Sequence, residues 1–236
     1  MTVLQVKVWR GGESGHYQEF EVPRFESQSV LDVVTYIQRS LDPTLSYRFA
    51  CRVGMCGSCA MTVNGKARWT CRTHVAKVAA ADRLEIAPLA NLPVVKDLVT
   101  DMSPFFEKWA AAHGRFQGGR TRRDDFERVP PDSPQRGLVD EAIECIGCGI
   151  CYSSCDVVSW NADYLGPAAL NRAWTLVNDV RDTDQTRLAA VAGDAGCHAC
   201  HTQMTCTERC PKQLSPTASI AGLKRLALAA ALEGEI

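Results

Sequence analysis

The sequence lacks a charge excess and a long apolar run, and each absence excludes a class of protein. Lysine and arginine nearly balance aspartate and glutamate, which gives a formal net charge of -1 at pH 7. Such a balance argues against nucleic acid as a partner. No stretch reaches the roughly 18 apolar residues that a membrane-spanning helix needs, since even the apolar tail at 220–232 is interrupted by Lys224 and Arg225. We therefore expect any link to a membrane to come through another subunit.

The first ten residues also lack the basic region and apolar core of a secretory signal, and they alternate like a strand instead. We therefore expect a chain whose thiols stay reduced. Cysteine, by contrast, is abundant, with 12 residues. An even number can pair as disulfides, but closely spaced thiols in a reducing compartment more often bind metal ions or iron–sulfur clusters. Metal or cluster binding is our interpretation, with disulfides as the alternative.

The most specific pattern is the run from Cys145 to Cys155. Its C-x2-C-x2-C-x3-C spacing is the one that bacterial ferredoxins use to bind an iron–sulfur cluster with three cysteines and to pass the fourth to a second cluster. Gly147 and Gly149 supply the backbone freedom that such tight wrapping needs. The run indicates an electron-transfer protein.

Residues 1–95 predict a small α+β domain. Apolar residues alternate with polar ones on both sides of a turn at Gly11-Gly12, as in two paired strands. A helix is expected to begin at Ser29, with Asp32 as its capping-box partner, and to end at Asp42-Pro43. Its apolar face is expected to consist of Val30, Leu31, Val33, Val34, Ile37 and Leu41.

A glycine-broken loop with three cysteines comes next, and a hairpin follows it. The hairpin turns at Asn64-Gly65, and its return strand is predicted to carry Trp69 and Cys71. Residues 83–86 close the sheet, and the segment 88–93 marks the expected domain boundary. This order of elements is that of a β-grasp ferredoxin: two strands, a helix, a cysteine loop, a hairpin and a last strand.

Residues 96–236 predict an all-α domain, because strand patterns vanish beyond the boundary. The closing helix is expected to have Ser215 as its N-cap and Pro216 as its first residue. The other helices of this domain are expected over 97–112, 138–144 and 167–180.

The first cysteine group is Cys51, Cys56, Cys59 and Cys71. The C-x4-C-x2-C spacing of its first three members is typical of plant-type [2Fe–2S] ferredoxins. The fourth follows after only eleven residues, which departs from ordinary plant ferredoxins. A structural zinc site is the alternative, but such sites usually pair C-x2-4-C units. The group therefore predicts a [2Fe–2S] cluster.

The remaining groups are interpreted together, because each run of a two-cluster ferredoxin gives its fourth cysteine to the other cluster. The first three cysteines of the central run are then completed by Cys210, whose following Pro211 fits the usual ending of such a run. This pairing predicts a [4Fe–4S] cluster on Cys145, Cys148, Cys151 and Cys210.

The second cluster of this pair takes Cys155, Cys200 and Cys206, and its fourth position is occupied by Gln203. An amide oxygen is a poor ligand for a soft metal, so the site predicts a [3Fe–4S] cluster. Cys197 is left over. It is either an extra buried thiol, which we favour, or a ligand that completes a fourth iron.

Together these motifs resemble the iron–sulfur subunit of succinate dehydrogenase and fumarate reductase over essentially the whole chain. The segments that carry the resemblance are Cys51–Cys59 with Cys71, Asp97–Ser103, Cys145–Cys155, Trp160-Asn161 with Gly166–Ala168, and Cys200–Lys212. The resemblance implies a relay through [2Fe–2S], [4Fe–4S] and [3Fe–4S] clusters to a membrane quinone. It implies a partner flavoprotein whose FAD oxidises succinate, and a membrane-anchor subunit that in some relatives holds haem b.

The absence of a Gly-x-Gly-x-x-Gly motif after a strand agrees with FAD lying in the partner. The resemblance further implies a peripheral position on the cytoplasmic face of a bacterial inner membrane, held through the anchor. Trp160 and His201 match positions beside the quinone pocket, and Trp160 favours the dehydrogenase branch. The alternative from the residues alone is a core tryptophan and a surface or helix-end histidine. Asp156 and Ser159 depart from many relatives, so we hypothesise that an ionised Asp156 lowers the potential of the neighbouring cluster.

Three alternatives stay open at this point. The chain can serve a quinol:fumarate reductase or a soluble fumarate reductase instead of a dehydrogenase. It can belong to another complex, such as one that resembles heterodisulfide reductase or glycolate oxidase. A zinc-stabilised interaction module without a redox role is the third alternative.

Overall fold

A computed structural model describes residues 3–236, which form two compact units. The first unit contains residues 3–104 and 146–154, and the second contains 105–145 and 155–236. In the central cysteine run, Cys148 and Cys151 therefore belong to the first unit, whereas Cys145 and Cys155 belong to the second. These units group residues that pack together and do not say which parts fold independently. The division into domains 1–95 and 96–236 therefore stays a prediction.

Strands are concentrated in the first unit. They are β1 (Val3–Arg10), β2 (His16–Pro23), β3 (Ala60–Val63), β4 (Lys66–Trp69), β5 (Arg83–Ala87), β6 (Val94–Lys96) and β7 (Val99–Thr100). Five of them form a sheet in the order β2-β1-β5-β3-β4, in which only the central β1–β5 pair is parallel. The strands β6 and β7 form a separate antiparallel pair that the sequence did not predict.

The α-helices of the described chain are mostly short. They are α1 (Val30–Tyr36), α2 (Val75–Val78), α3 (Ser103–Ala111), α4 (Pro134–Val139), α5 (Ile150–Ser153), α6 (Asp156–Trp160), α7 (Pro167–Val177), α8 (Arg187–Ala192), α9 (Thr205–Glu208) and α10 (Pro216–Glu233). Within residues 3–236, we find no helix with the length and apolar character that crossing a bilayer requires.

Helix α1 packs on the sheet and closes the core of the first unit. Its N-terminus has the predicted capping box, in which the Ser29 hydroxyl accepts the Asp32 N–H and the Asp32 carboxylate accepts the Ser29 N–H. A π-helical segment, Ile37–Leu41, continues the helix to Asp42. The prediction was wrong for Leu41, which is 45% exposed at the end of the π-helical segment, where the wider turn no longer follows the α-helical spacing of the predicted face. The other predicted face residues are buried.

The predicted helix over 97–112 was wrong in its first six residues, because the Asp97 side chain is used elsewhere. Asp97 is buried and accepts hydrogen bonds from Arg10 Nε at 3.2 Å, from Gly11 N at 2.7 Å and from Ser46 N at 2.8 Å. These contacts hold the β6–β7 turn against the sheet domain. Helix α3 starts only at Ser103, whose N–H donates to the Asp101 carboxylate.

The second unit is built from helices, with α10 packed against α7 and α8. Leu170 and Leu223 are fully buried between them. A polar chain crosses this core, since Ser219 Oγ donates to Asn171 Oδ1 at 2.9 Å and Asn171 Nδ2 donates to the Ala142 carbonyl at 2.9 Å. Helix α10 has the predicted N-cap, because Ser215 Oγ accepts the N–H of Ala218.

The other predicted helices of this unit are shorter than expected. The segment 138–144 is the end of α4 followed by a 3-10 turn at Ala142–Glu144, and the helix expected over 167–180 ends at Val177. Helix α8 was not predicted. It begins at Arg187, whose buried guanidinium pairs with Asp182 at 2.6 Å and fixes the preceding turn.

Candidate iron–sulfur centres

The first cysteine group lies on the loop before β3 and on the turn after β4, within the first unit. Cys51 Sγ accepts hydrogen bonds from the backbone N–H groups of Met55 and Cys56, both at 3.3 Å. The N–H of Cys51 in turn donates to Cys56 Sγ at 3.5 Å. A hydrogen bond from the Ser58 hydroxyl is the largest of the effects that lower the pKa of Cys56 to about 6. The loop therefore surrounds its own sulfurs with donors.

A buried threonine brings Cys71 to Cys59. The backbone N–H and the hydroxyl of Thr70 both donate to the Cys59 carbonyl, at 3.2 and 2.8 Å. Burial raises the pKa of Cys71 to about 11, and a hydrogen bond with Cys59 and the charge of Cys51 act in the same direction. All four thiols of the group thus converge, although Cys71 lies in a 3-10 turn and not in the predicted strand. Four converging thiols with N–H donors fit a [2Fe–2S] cluster.

The central run turns at the two glycines that the sequence indicated. Gly147 and Gly149 have φ angles of +61° and +77°, in the left-handed region that other residues rarely adopt. At Gly149 space is also short, because a Cβ would lie 3.1 Å from Met102 Cε. The second turn leads directly into α5, which carries Cys151.

Cys148 and Cys151 belong to the first unit, where the run packs against the loop of the first group. Gly57 approaches Cys148 so closely that a Cβ on Gly57 would lie 2.5 Å from Cys148 Cβ. Asn91 holds the end of α5, because its amide donates to the carbonyl of Ser153 at 3.2 Å. Two predicted cluster loops are therefore in direct contact.

Cys145 and Cys210 belong to the second unit. There the neighbouring side chains of Glu144 and Lys212 form an ion pair at 3.6 Å. The four predicted [4Fe–4S] ligands are divided between the two units, and their grouping rests on the sequence spacing.

The predicted ligands of the third cluster converge on one cavity of the second unit. Cys155, Cys200 and Cys206 all line it, together with the buried Tyr164 and with Gln203. Burial raises the pKa of Cys155, and the nearby thiols of Cys206 and Cys200 raise it further. Three thiols within electrostatic reach of one another, with an amide at the fourth position, are a donor set that fits a [3Fe–4S] cluster.

Cys200 has donors from two directions. The N–H of Thr202 donates to Cys200 Sγ at 3.4 Å, and the Tyr164 hydroxyl is hydrogen-bonded to the same sulfur. Burial raises the pKa of Tyr164 above its ordinary value, and the surrounding thiols add to this. The Lys224 ammonium group donates to the Cys200 carbonyl at 2.7 Å, which places a positive charge beside the cavity.

Cys155 stands at the N-terminus of α6. Hydrogen bonds from the N–H groups of Val158 and Val157 favour its thiolate form, against the larger effect of burial. Asp156 and Ser159, the two departures from the family pattern, both have exposed side chains, and the Ser159 hydroxyl donates to the Asp156 carbonyl at 2.6 Å. The lowering of the cluster potential by an ionised Asp156 stays a hypothesis.

Cys197 is fully buried in a 3-10 turn but does not line the cavity. The largest effect on its pKa is burial, which raises it, followed by the charge of Lys224, which lowers it. Among residues 3–236, no group of three or more His, Cys, Asp or Glu side chains is arranged to hold a single metal ion.

Trp160 and His201 form an edge-to-face ring pair with centroids 5.5 Å apart. His201 lines the cavity beside Cys200, and Trp160 is 60% exposed. The pair therefore connects the third predicted cluster to the surface. The structure brings together the two residues that the sequence singled out for quinone.

Sequence reasoning missed the side chains that surround the third group. Tyr164, Lys224, Thr207 and Thr217 all contact a predicted ligand or its backbone. Thr207 directly follows Cys206, but the distances of the other three residues from the cysteines follow no motif. A partial indication existed only for Thr217. It directly follows Ser215-Pro216, the predicted start of a helix, so a fixed position for its side chain could be expected.

Two families match the chain in succession. Residues 3–107 match a family described as a 2Fe-2S iron-sulfur cluster binding domain, and residues 141–214 match a 4Fe-4S dicluster domain. The observed sheet and helices together with these matches confirm the predicted α+β class, a β-grasp [2Fe–2S] domain followed by a helical two-cluster domain.

Curated relatives and a solved structure extend the match to nearly the whole chain. The chain is 34% identical to the mitochondrial succinate dehydrogenase iron-sulfur subunit 1 of Oryza sativa, over 91% of this chain and 77% of the relative. It is also 34% identical to the fumarate reductase iron-sulfur subunit of Haemophilus influenzae, over 92% and 90%. A chain of the Mycobacterium smegmatis Sdh1 complex in the apo form matches with a TM-score of 0.85 and 27% identity, over 96% of each chain.

Proposed function

We propose a function that starts from the family: the chain belongs to the iron–sulfur subunits of succinate dehydrogenases and fumarate reductases. It is a non-catalytic subunit of a multi-subunit oxidoreductase complex and transfers electrons through iron–sulfur clusters. The direction that we propose is from succinate to quinone.

Three clusters are assigned in this proposal. Cys51, Cys56, Cys59 and Cys71 hold a [2Fe–2S] cluster, Cys145, Cys148, Cys151 and Cys210 hold a [4Fe–4S] cluster, and Cys155, Cys200 and Cys206 hold a [3Fe–4S] cluster. The clusters supply the one-electron redox chemistry. The chain fixes their spacing and surrounds their sulfurs with donors, which tune their potentials.

The observation that carries the proposal is the convergence of Cys155, Cys200 and Cys206 on one cavity that continues to the Trp160–His201 pair. A terminal cluster next to an exposed aromatic pair is the arrangement that a quinone headgroup needs in order to accept electrons. In this proposal the tryptophan and the histidine bind the headgroup, and the histidine donates a hydrogen bond to a quinone oxygen.

The partners follow from this direction of flow. A flavoprotein subunit with FAD oxidises succinate, and one or more membrane-anchor subunits, with or without haem b, complete the quinone site. We place the chain peripherally on the cytoplasmic face of a bacterial inner membrane, held through the anchor.

The test uses the intact complex that contains the full chain. Succinate yields fumarate, two protons and two electrons, so its addition without oxygen should reduce the clusters and bleach their visible absorption. A quinone then takes up two electrons and two protons and should restore the absorption. Failure of succinate to reduce any cluster in an iron-loaded complex would overturn the proposal, as would a colourless chain that contains zinc.

The second candidate is quinol:fumarate reductase, supported by the 34% identity to the Haemophilus influenzae fumarate reductase subunit over 90% of that relative. The same complex decides between them. A fumarate reduction rate with a low-potential quinol that exceeds the succinate oxidation rate would assign the chain to this alternative.

A further inference from the structure

Two threonine hydroxyls and the sulfur of Cys206 form a continuous hydrogen-bonded chain in the second unit. Thr217 Oγ1 lies 3.4 Å from Cys206 Sγ and 2.8 Å from Thr207 Oγ1. The backbone N–H of Thr217 donates to Thr207 Oγ1 at 3.3 Å. Cys206 is buried, and both threonines are partly buried.

The start of α10 explains why Thr217 stands there. The first N–H groups of a helix have no partner within it. Ser215 caps the N–H of Ala218, Pro216 has no N–H, and the N–H of Thr217 is satisfied by Thr207. Thr217 is therefore held in place by its backbone, and its hydroxyl faces the sulfur.

The direction of each hydrogen bond follows from counting protons. A cysteine that binds iron does so as a thiolate and has no proton to donate. In the contact with Cys206, Thr217 is therefore the donor. A hydroxyl has one proton, so the contact between the hydroxyls must have Thr207 as its donor. The chain of donors runs from Thr207 through Thr217 to the sulfur.

A donor aimed at a ligand sulfur changes a reduction potential because reduction adds negative charge to the cluster. The hydroxyl dipole stabilises that added charge more than it stabilises the oxidised form. The 3.4 Å contact between Thr217 Oγ1 and Cys206 Sγ places such a dipole directly at the ligand sulfur.

We propose that Thr207 and Thr217 form a donor relay that raises the reduction potential of the cluster bound through Cys206, and so makes it the better electron acceptor in the chain. The two threonines are positioning residues and act through the cysteine. This inference rests on the proposed function, since it takes the cluster of Cys155, Cys200 and Cys206 as given.

The test is a redox titration of the cluster-loaded complex, with the oxidised-state EPR signal of the third cluster as the readout. Thr207 also lies within hydrogen-bonding reach of Cys206. In a variant that removes only the Thr217 hydroxyl, the Thr207 hydroxyl can therefore donate to Cys206 in its place. The main variant is therefore Thr207→Val with Thr217→Val, which keeps both side-chain shapes and removes both hydroxyls. We expect its reduction equilibrium constant to fall about tenfold, which is about 59 mV for a one-electron couple.

The matched control is Thr207→Ser with Thr217→Ser, which keeps the hydroxyls and should keep the wild-type potential. The [2Fe–2S] potential should stay constant in both variants. An unchanged midpoint in the double valine variant would overturn the relay, and so would an equal fall in the double serine variant. If the double valine variant fails to load the cluster, the single variant Thr207→Val decides. Thr217 then keeps its own hydroxyl on Cys206, so a smaller fall is expected, and no fall would overturn the relay. If the wild-type complex itself shows no oxidised-state EPR signal from the third cluster, the proposed [3Fe–4S] cluster is overturned, and not the relay alone.

Discussion

The two cysteine sites that each lie within one compact unit differ in the origin of their hydrogen-bond donors. In the first site, the sulfurs of Cys51 and Cys56 accept N–H groups from their own loop. In the third, Cys200 and Cys206 depend on the distant side chains of Tyr164 and Thr217. The first site is surrounded mainly by donors of its own loop, which are backbone N–H groups and the Ser58 hydroxyl. We therefore expect its potential to depend less on distant side chains. The third site is open to tuning by single side chains.

The largest effect is expected from removing a ligand of the third site. Cys206→Ser should abolish the oxidised-state EPR signal of the third cluster, because a serine oxygen is a poor replacement for a soft thiolate ligand. The reduced-state [2Fe–2S] signal should persist. The matched control is Cys197→Ser, a buried cysteine outside the cavity, which should keep both signals. Loss of the third signal in the control and its survival in Cys206→Ser would reverse our assignment.

A second substitution tests why the third site holds three irons. Gln203→Cys places a thiol at the fourth corner of the cavity, where a fourth iron can then bind. We expect the oxidised-state signal to disappear and a reduced-state signal of a [4Fe–4S] cluster to replace it, with Gln203→Ser as a control that keeps the original signal. An unchanged oxidised-state signal in a fully loaded Gln203→Cys variant would contradict the geometry proposed for this corner.

The contact between the first two loops gives an effect on stability. Gly57 and Gly65 both have a φ of +71°, but a Cβ meets Cys148 at the first and open space at the second. Gly65→Ala should cost about 1 kcal/mol of unfolding free energy through strain alone. Gly57→Ala should cost roughly 1–3 kcal/mol more through overpacking. Thermal unfolding of the cluster-loaded chain compares them, and equal midpoints for the two variants would show that the loops do not touch.

The smallest effect is expected at Tyr164. Tyr164→Phe removes one hydroxyl that is hydrogen-bonded to Cys200 and leaves the backbone donor of Thr202 in place. The potential of the third cluster should fall by less than in the double valine variant, and the [2Fe–2S] potential should not change. A rise in the third potential would show that the hydroxyl does not donate to the sulfur.

The difference between local contacts and contacts that are distant along the chain also explains how much of the structure the sequence could predict. Alternating apolar residues and the Ser29–Asp32 capping box are local signals, and both were confirmed. The spacing of the first cysteine group is also local, and the structure brings its four thiols together. The helix predicted from Asp97 was wrong because the buried contact of Asp97 with Arg10 joins residues 87 positions apart. A propensity argument cannot foresee such a pair.

The third site was predicted only in part for the same reason. Its cysteines and Gln203 follow a ferredoxin spacing, so their convergence could be expected. The donors could not, because Tyr164 and Thr217 reach the cavity through the packing of whole helices. Spacing predicts which atoms bind a cluster, whereas the surroundings that set its potential depend on the tertiary fold.

The central claim is that the chain carries three clusters of three types, and EPR of the oxidised complex tests it most directly. We predict one signal from an oxidised [3Fe–4S] cluster, with [2Fe–2S] and [4Fe–4S] signals that appear only on reduction. No signal in the oxidised state, together with two [4Fe–4S] signals on reduction, would contradict the account. That result would make Cys197 a ligand and leave Gln203 without the role that we give it.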